Sequence, residues 1–211
     1  MVEDNAKLMA KGYSYIVSRD YGFAPNPFHG FLTLATCKPK IRKNASVGDF
    51  IIGNSGVKSG YKLLYMAKVD AIISFDDYWD GPLYKCKRPV MNGSLKLLYG
   101  DNIYHHDCKG KWLQEDSHHS YGDGSVNIYN LNRDTGTTDH VLICKEFFYF
   151  GKSMFPLDDM YQKCICKNRG HKCVAIEDCV RLWTYLKSHY NKGMVDTPIQ
   201  FKRFERYNGK S

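Results

Sequence analysis

Apolar positions along the chain fall into short runs of mixed period. Tyr13 to Ser18 is aromatic and β-branched and predicts a first strand. Asp20 to Gly30 cannot be regular, because Pro25 and Pro27 fix φ and Gly22 and Gly30 punctuate its ends. Phe31 to Thr36 fits a strand or a helix turn, and Pro39 to Ala45 reads as a basic connector. Val47 to Gly53 reads as a turn feeding a buried strand, and Tyr61 to Ser74 as one long bent strand. Phe75 to Trp79 starts a short helix or loop, with acidic residues suited to a helix N-terminus.

Gly81 to Gly124 has little periodicity and reads as a long irregular insertion, broken by a strand at Leu95 to Tyr99. Asp139 to Phe150 predicts another strand. Val174 to Tyr190 predicts a helix with Val180, Trp183 and Leu186 on its apolar face, Lys187 and His189 in its last turn, and Gly193 as a stop. These elements lack the strand–helix alternation of a doubly wound sheet. The expectation is α+β: a small, curled, mostly antiparallel β-barrel with flanking helices and the long insertion. One domain over 12–192 is expected, with 1–11 as a leader and 193–211 as a basic tail.

Charge changes this picture by adding a partner. The net charge of +8 favours a polyanion. One basic run, Lys38, Lys40, Arg42 and Lys43, suits phosphate contact, and others lie at Lys85 to Arg88 and at Lys202 to Arg206. No export signal and no bilayer-length apolar run is seen, which points to the cytoplasm, to reduced thiols for the eight cysteines, and to no membrane partner.

No HExxH, GxSxG, P-loop or dinucleotide fingerprint occurs, and no cofactor is expected. Cys164, Cys166, His171 and Cys173 are four soft side chains within ten residues, yet their CxC spacing is unlike common zinc knuckles, and a metal is not favoured. The pairs His105-His106 and His118-His119 sit in the insertion, where a His-rich surface loop competes with an acid–base cluster. A pocket for a base is the stronger reading. Phe28 and Trp79 would stack, and Asn26, Asn54 and Ser55 would hydrogen-bond. Against it stands the possibility that Phe23 or Phe28 only plugs the core.

Asp20-Tyr21-Gly22-Phe23-Ala24-Pro25-Asn26-Pro27-Phe28, Leu34-Ala35-Thr36-Cys37-Lys38-Pro39, Gly48-Asp49, Tyr78-Trp79, Lys87-Arg88-Pro89, Gly100-Asp101-Asn102-Ile103-Tyr104, Trp112, Gln114, Ser117, His119 and Arg169-Gly170-His171 together resemble the nucleotide-modification-associated domain type two family of bacteria and phages. That resemblance spans about Tyr13 to Tyr190. It implies a role around DNA base hypermodification, in a bacterial or phage-infected cell, and adds Asn102 and Tyr104 to the ligand-contacting set. A second similarity, to modified-base readers of the PUA, EVE and YTH type, implies the barrel and places Asn54 and Ser55 at a pocket lip. Binding of a modified base or nucleotide, most naturally in DNA, is the leading expectation. An enzyme that installs, trims or removes a modification is the alternative, with Asp101, His119 and His171 as its acid–base set and Asp20 or Asp49 as alternates. A protein-interaction module in phage–host conflict is the third.

Overall fold

The computed structural model describes residues 10–209, so most of the expected leader lies outside the described residues. In chain order the elements are β1 (Gly12–Ile16), β2 (Leu32–Leu34), α1 (Pro39–Asn44), β3 (Phe50–Asn54), β4 (Leu63–Lys68), β5 (Ala71–Ile73) and α2 (Phe75–Asp80). Then come α3 (Leu95–Leu98), β6 (Tyr104–His106), β7 (Trp112–Gln114), α4 (Ile128–Thr135), β8 (Val141–Cys144) and β9 (Glu146–Tyr149). The chain closes with β10 (His171–Val174), α5 (Ile176–His189) and β11 (Gly193–Met194).

The chain is α+β, but the expected PUA-like barrel is absent among the described residues. A six-stranded sheet runs β10-β1-β3-β4-β9-β11, and a three-stranded sheet β2-β8-β5 and the β6-β7 hairpin stand apart from it. The large sheet is mixed, since β1 pairs with β3 in parallel and β9 with β11 in parallel, while its other pairs are antiparallel. Among the described residues β10 and β11 are its two edges.

Two runs that read as single strands each serve two sheets. Leu63–Lys68 and Ala71–Ile73 separate at Val69-Asp70, and Val141–Cys144 separates from Glu146–Tyr149 at Lys145. The breaks face each other: Asp70 N–H donates to Ile143 O at 2.8 Å, and the Asp70 carboxylate accepts from Lys145 N–H. Both runs are apolar on either side of the break, so their pattern carries no mark of the crossing.

Alternation works within the large sheet. Ile51, Tyr65, Ala67 and Phe147 pack on one face, and Phe50, Ile52, Met66 and Phe148 on the other beneath α5. The buried side of α5 is Cys179, Leu182, Trp183 and Leu186, whereas Val180 is exposed, so the expected apolar stripe is displaced at that position. A third cluster, around Phe75, Tyr78, Tyr99 and Tyr104, joins α2 and the hairpin to the small sheet.

The insertion is more ordered than its composition suggests. It contains a 3-10 turn at Pro82–Lys87, a helical turn at Leu95–Leu98 in place of the expected strand, and the hairpin. The basic connector is α1, with Pro39 at its start, where a missing N–H does no harm. No helix among the described residues is long and apolar enough to cross a membrane.

Candidate functional site

A cavity of about 420 Å³ opens beside the end of β1. Its floor holds Cys37, between β2 and α1, and His119, in the loop after β7. Cys37 and Lys38 both adopt left-handed backbone, with φ of 57° and 44°. Two successive non-glycine residues in that region cost roughly 1–3 kcal/mol each. The surroundings hold the turn in place. Cys37 N–H donates to Asp134 Oδ1 at 2.9 Å, and buried Arg42 donates to the Cys37 carbonyl at 2.9 Å.

Asp134 comes from the last turn of α4, a helix started by Asn127, whose side chain accepts from the N–H groups of Tyr129 and Asn130. A carboxylate there meets the negative helix end and is fully buried, so it needs compensation. Arg133 Nε donates to Asp134 Oδ1 at 2.8 Å, Tyr104 Oη donates to Oδ2 at 3.0 Å, and His119 Nδ1 lies 3.0 Å from Oδ2. A carboxylate only accepts, so the His119 proton sits on Nδ1 and Nε2 is left facing Cys37 Sγ at 3.9 Å. Thiol, imidazole and carboxylate thus stand in the order of a nucleophile, its base and an orienting group.

The electrostatics follow. Burial and then the Asp134 charge push the Cys37 thiol up, but the hydrogen bond and charge of His119, with Arg133 beside it, outweigh them and bring it below an ordinary thiol. Burial opposes a charge on His119, while Asp134 and Cys37 raise its pKa overall. Burial works against Asp134 too, yet His119 and Arg133 hold it well below the usual carboxylate range. By contrast, burial drives Cys164 and Cys179 up to about 12.

Above the floor, Tyr15, Tyr21, Phe23 and Tyr207 supply aromatic wall, and Arg19, Lys38, Arg133 and Arg169 supply charge. Lys38 Nζ stands 4.4 Å over the Tyr15 ring, and the Arg19 guanidinium 4.9 Å from the Tyr207 ring centre. The C-terminal segment forms one side. Tyr207 N–H donates to the His118 carbonyl, and Asn130 Nδ2 donates to the Tyr207 carbonyl at 2.7 Å. Gly209 packs where a Cβ would strike the Tyr129 ring at 2.4 Å.

The residues nominated from sequence scatter, and three reach the site: His119, Tyr104 and Lys38. His119 lines the cavity, and Tyr104 supports Asp134 from below. Asp101 is buried elsewhere, accepting from Thr33 Oγ1 at 2.6 Å and Tyr78 Oη at 2.8 Å. His171 lies on the β10 edge against Tyr13. Asp20 anchors the tail through Ile199 N–H at 2.9 Å, and Asp49 accepts from the Lys11 and Ser46 N–H groups.

Asn26 is interior, bonded to the Tyr99 carbonyl and to Lys87, and Phe28 packs against Phe201. Asn54 ties β3 to Cys166, Ser55 accepts from Lys62 N–H, and Asn102 donates to the Tyr78 carbonyl. Trp79 is held between His105, stacked at 4.0 Å, and Arg88, at 3.6 Å, away from the cavity.

Of the basic run, Lys38 alone lines the cavity. Arg42 is wholly buried on the carbonyls of Cys37, His140 and Asp134, which removes it from any phosphate. Lys40 and Lys43 are exposed on α1.

Cys164 and Cys166 are buried with their thiols on the Asp178 and Asn168 carbonyls, whereas Cys173 is exposed. Among the described residues no group of three or more His, Cys, Asp or Glu is placed to hold a metal.

Sequence reasoning missed Cys37, Asp134, Arg133, Arg19 and Arg169 as site residues. The available signals were Cys37 beside a helix-starting Lys-Pro, and an Asn127 cap before Leu131 that marks α4.

Residues 9–205 match the family model described as nucleotide modification associated domain 2. Comparison with curated proteins and with solved structures returned no match.

Proposed function

The chain belongs to the nucleotide modification associated domain 2 family, and from that premise we propose that it is a cysteine-dependent enzyme acting on a nucleotide. The reaction is substitution at an sp² carbon, an amide or amidine carbon of a base or of a group carried on a base. One observation carries this reading: Cys37 Sγ faces His119 Nε2 at 3.9 Å while His119 Nδ1 engages Asp134 at 3.0 Å, on the floor of an accessible cavity.

The resting pair is thiolate and imidazolium, as the opposed displacements of the Cys37 and His119 pKa values support. The thiolate forms a C–S bond, and Arg133 and Lys38 face the negative charge that develops on the substrate heteroatom. The C–N bond breaks as His119 gives its proton to the departing amine. Water then loses a proton to His119 and adds to the same carbon. The C–S bond breaks, and thiolate and imidazolium are restored.

Binding of a base, the leading expectation from sequence, is retained within this reading, with the part-exposed Tyr21 and Tyr207 in place of Phe28 and Trp79. The test is mass spectrometry of nucleosides and of intact protein after incubation with a panel of amide- and amine-substituted nucleotides. Product release by the wild type and none by Cys37→Ser is the expected outcome. An unchanged panel together with an unlabelled Cys37 would overturn it.

A further inference from the structure

The charge around the cavity is one-sided. Among the described residues four cationic side chains line it, Arg19, Lys38, Arg133 and Arg169, and no carboxylate does. Arg133 is neutralised by Asp134 beneath it. Arg19, Lys38 and Arg169 have no carboxylate within ion-pair distance among the described residues. Clustering three unpaired cations beside a concave aromatic wall costs self-repulsion, which an anionic ligand relieves.

Their placement follows from the sheet. β1 and β10 are antiparallel neighbours with Tyr15 opposite His171. Arg19, shortly after β1, and Arg169, shortly before β10, therefore emerge at the same end of adjacent strands. Both are exposed and line the cavity, whereas Cys37 is half-buried at its floor. Arginine forks suit phosphate oxygens. The volume of about 420 Å³ is that of a small-ligand pocket, with room for one nucleotide.

We propose that the cavity takes a single nucleotide by its phosphate, held by Arg19 and Arg169 at the rim, with the base lowered beside Tyr207 toward Cys37. The proposal rests on the reading of the cavity as the reactive site and names the chemistry of what enters it. A free mononucleotide and a nucleotide turned out of a strand present the same phosphate, and a paired base in an intact duplex is shut out.

Calorimetry on Cys37→Ser protein tests this without any reaction. The probes are the four deoxynucleosides, their 5′-monophosphates, and a short oligonucleotide as single strand and as duplex. A monophosphate is expected to bind about tenfold or more tighter than its nucleoside, as one charge-assisted contact gives. That gap should close in an Arg19→Gln, Arg169→Gln double variant, whose substitutions are both at the surface. Single-strand binding at or above the mononucleotide level identifies a strand as the source, and mononucleotide binding alone identifies a free nucleotide. Equal affinity for nucleoside and monophosphate, a gap that survives the double variant, equal binding of duplex and single strand, or no binding of any probe overturns the proposal. The enzymatic reading fails separately, if Cys37 forms no adduct while phosphate-dependent binding persists.

Discussion

Asp134 holds Cys37 twice over: Oδ1 accepts the Cys37 backbone N–H at 2.9 Å, while Oδ2 orients the imidazole that faces the Cys37 thiol. One carboxylate fixes both the strained turn that presents the nucleophile and the tautomer of its base. Asp134→Asn therefore has two effects. It removes the charge that favours imidazolium, and turnover should fall about 10²- to 10⁴-fold. It also leaves Arg133 and Arg42 in a buried region short of negative charge, at a cost of about 3 kcal/mol. Denaturant melts and steady-state rates on the same sample separate the two, with Cys37→Ser as an inactive protein of near-native stability.

Thiol reactivity provides a direct readout of the pair. With exposed Cys86, Cys108 and Cys173 replaced by serine, alkylation by iodoacetamide should report Cys37. Its pKa is lowered, so thiolate persists below the range of a free thiol, and the rate should rise with a midpoint below about pH 8.5. In His119→Ala burial acts without its counterweight, and the midpoint should move up past that value. A midpoint unchanged between the two proteins would show that the pair is not formed in solution.

Arg42 reads in sequence as one more phosphate contact and is instead a structural cation. Its guanidinium donates to three carbonyls from wholly buried space, at Cys37, His140 and Asp134. Arg42→Met should cost about 3 kcal/mol by orphaning those carbonyls, whereas Lys40→Ala and Lys43→Ala should stay within about 0.5 kcal/mol. Chemical unfolding of the three variants decides the matter.

His118, which packs on Tyr21, Phe23 and Tyr99, is pushed down to about 3, first by burial and then by the charge of His119. The sign is clear. The unfolded chain takes up a proton near pH 6.5 and the native state refuses it, so stability drains as pH falls from there toward 3. His118→Gln should be less stable at pH 7, yet lose about 2 kcal/mol less than the wild type between pH 7 and pH 4.5. Urea melts at both pH values measure that difference.

The middle of the large sheet was readable because Gly12–Ile16, Phe50–Asn54 and Leu63–Lys68 are apolar and β-rich, whereas its edges, His171–Val174 and Gly193–Met194, are short and carry no strand pattern. The site was not, because its parts lie in segments without periodicity. Cys37 lies in the turn after a three-residue strand, and His119 lies in a loop of the insertion. Asp134 is on an eight-residue helix whose exposed Ile128 and Tyr129 blur the apolar stripe. Their convergence is a property of long-range packing, from α1 against α4 and from the tail beneath both histidines. Asn26 and Asn54 misled for a related reason. An amide beside glycine or proline suits a ligand and suits a buried backbone carbonyl equally, and here each satisfies backbone.

The tail that walls the cavity also sets when the site comes into being. Tyr207 and Asn208 secure the loop of His118 and the cap of α4, and Gln200 and Ile199 close on Asp20, some 180 positions back along the chain. During synthesis at about 5–20 residues per second, position 37 precedes these partners by roughly ten to thirty seconds. Through that interval the cavity lacks the wall that Tyr207 supplies, so this side of the site is the last to be built.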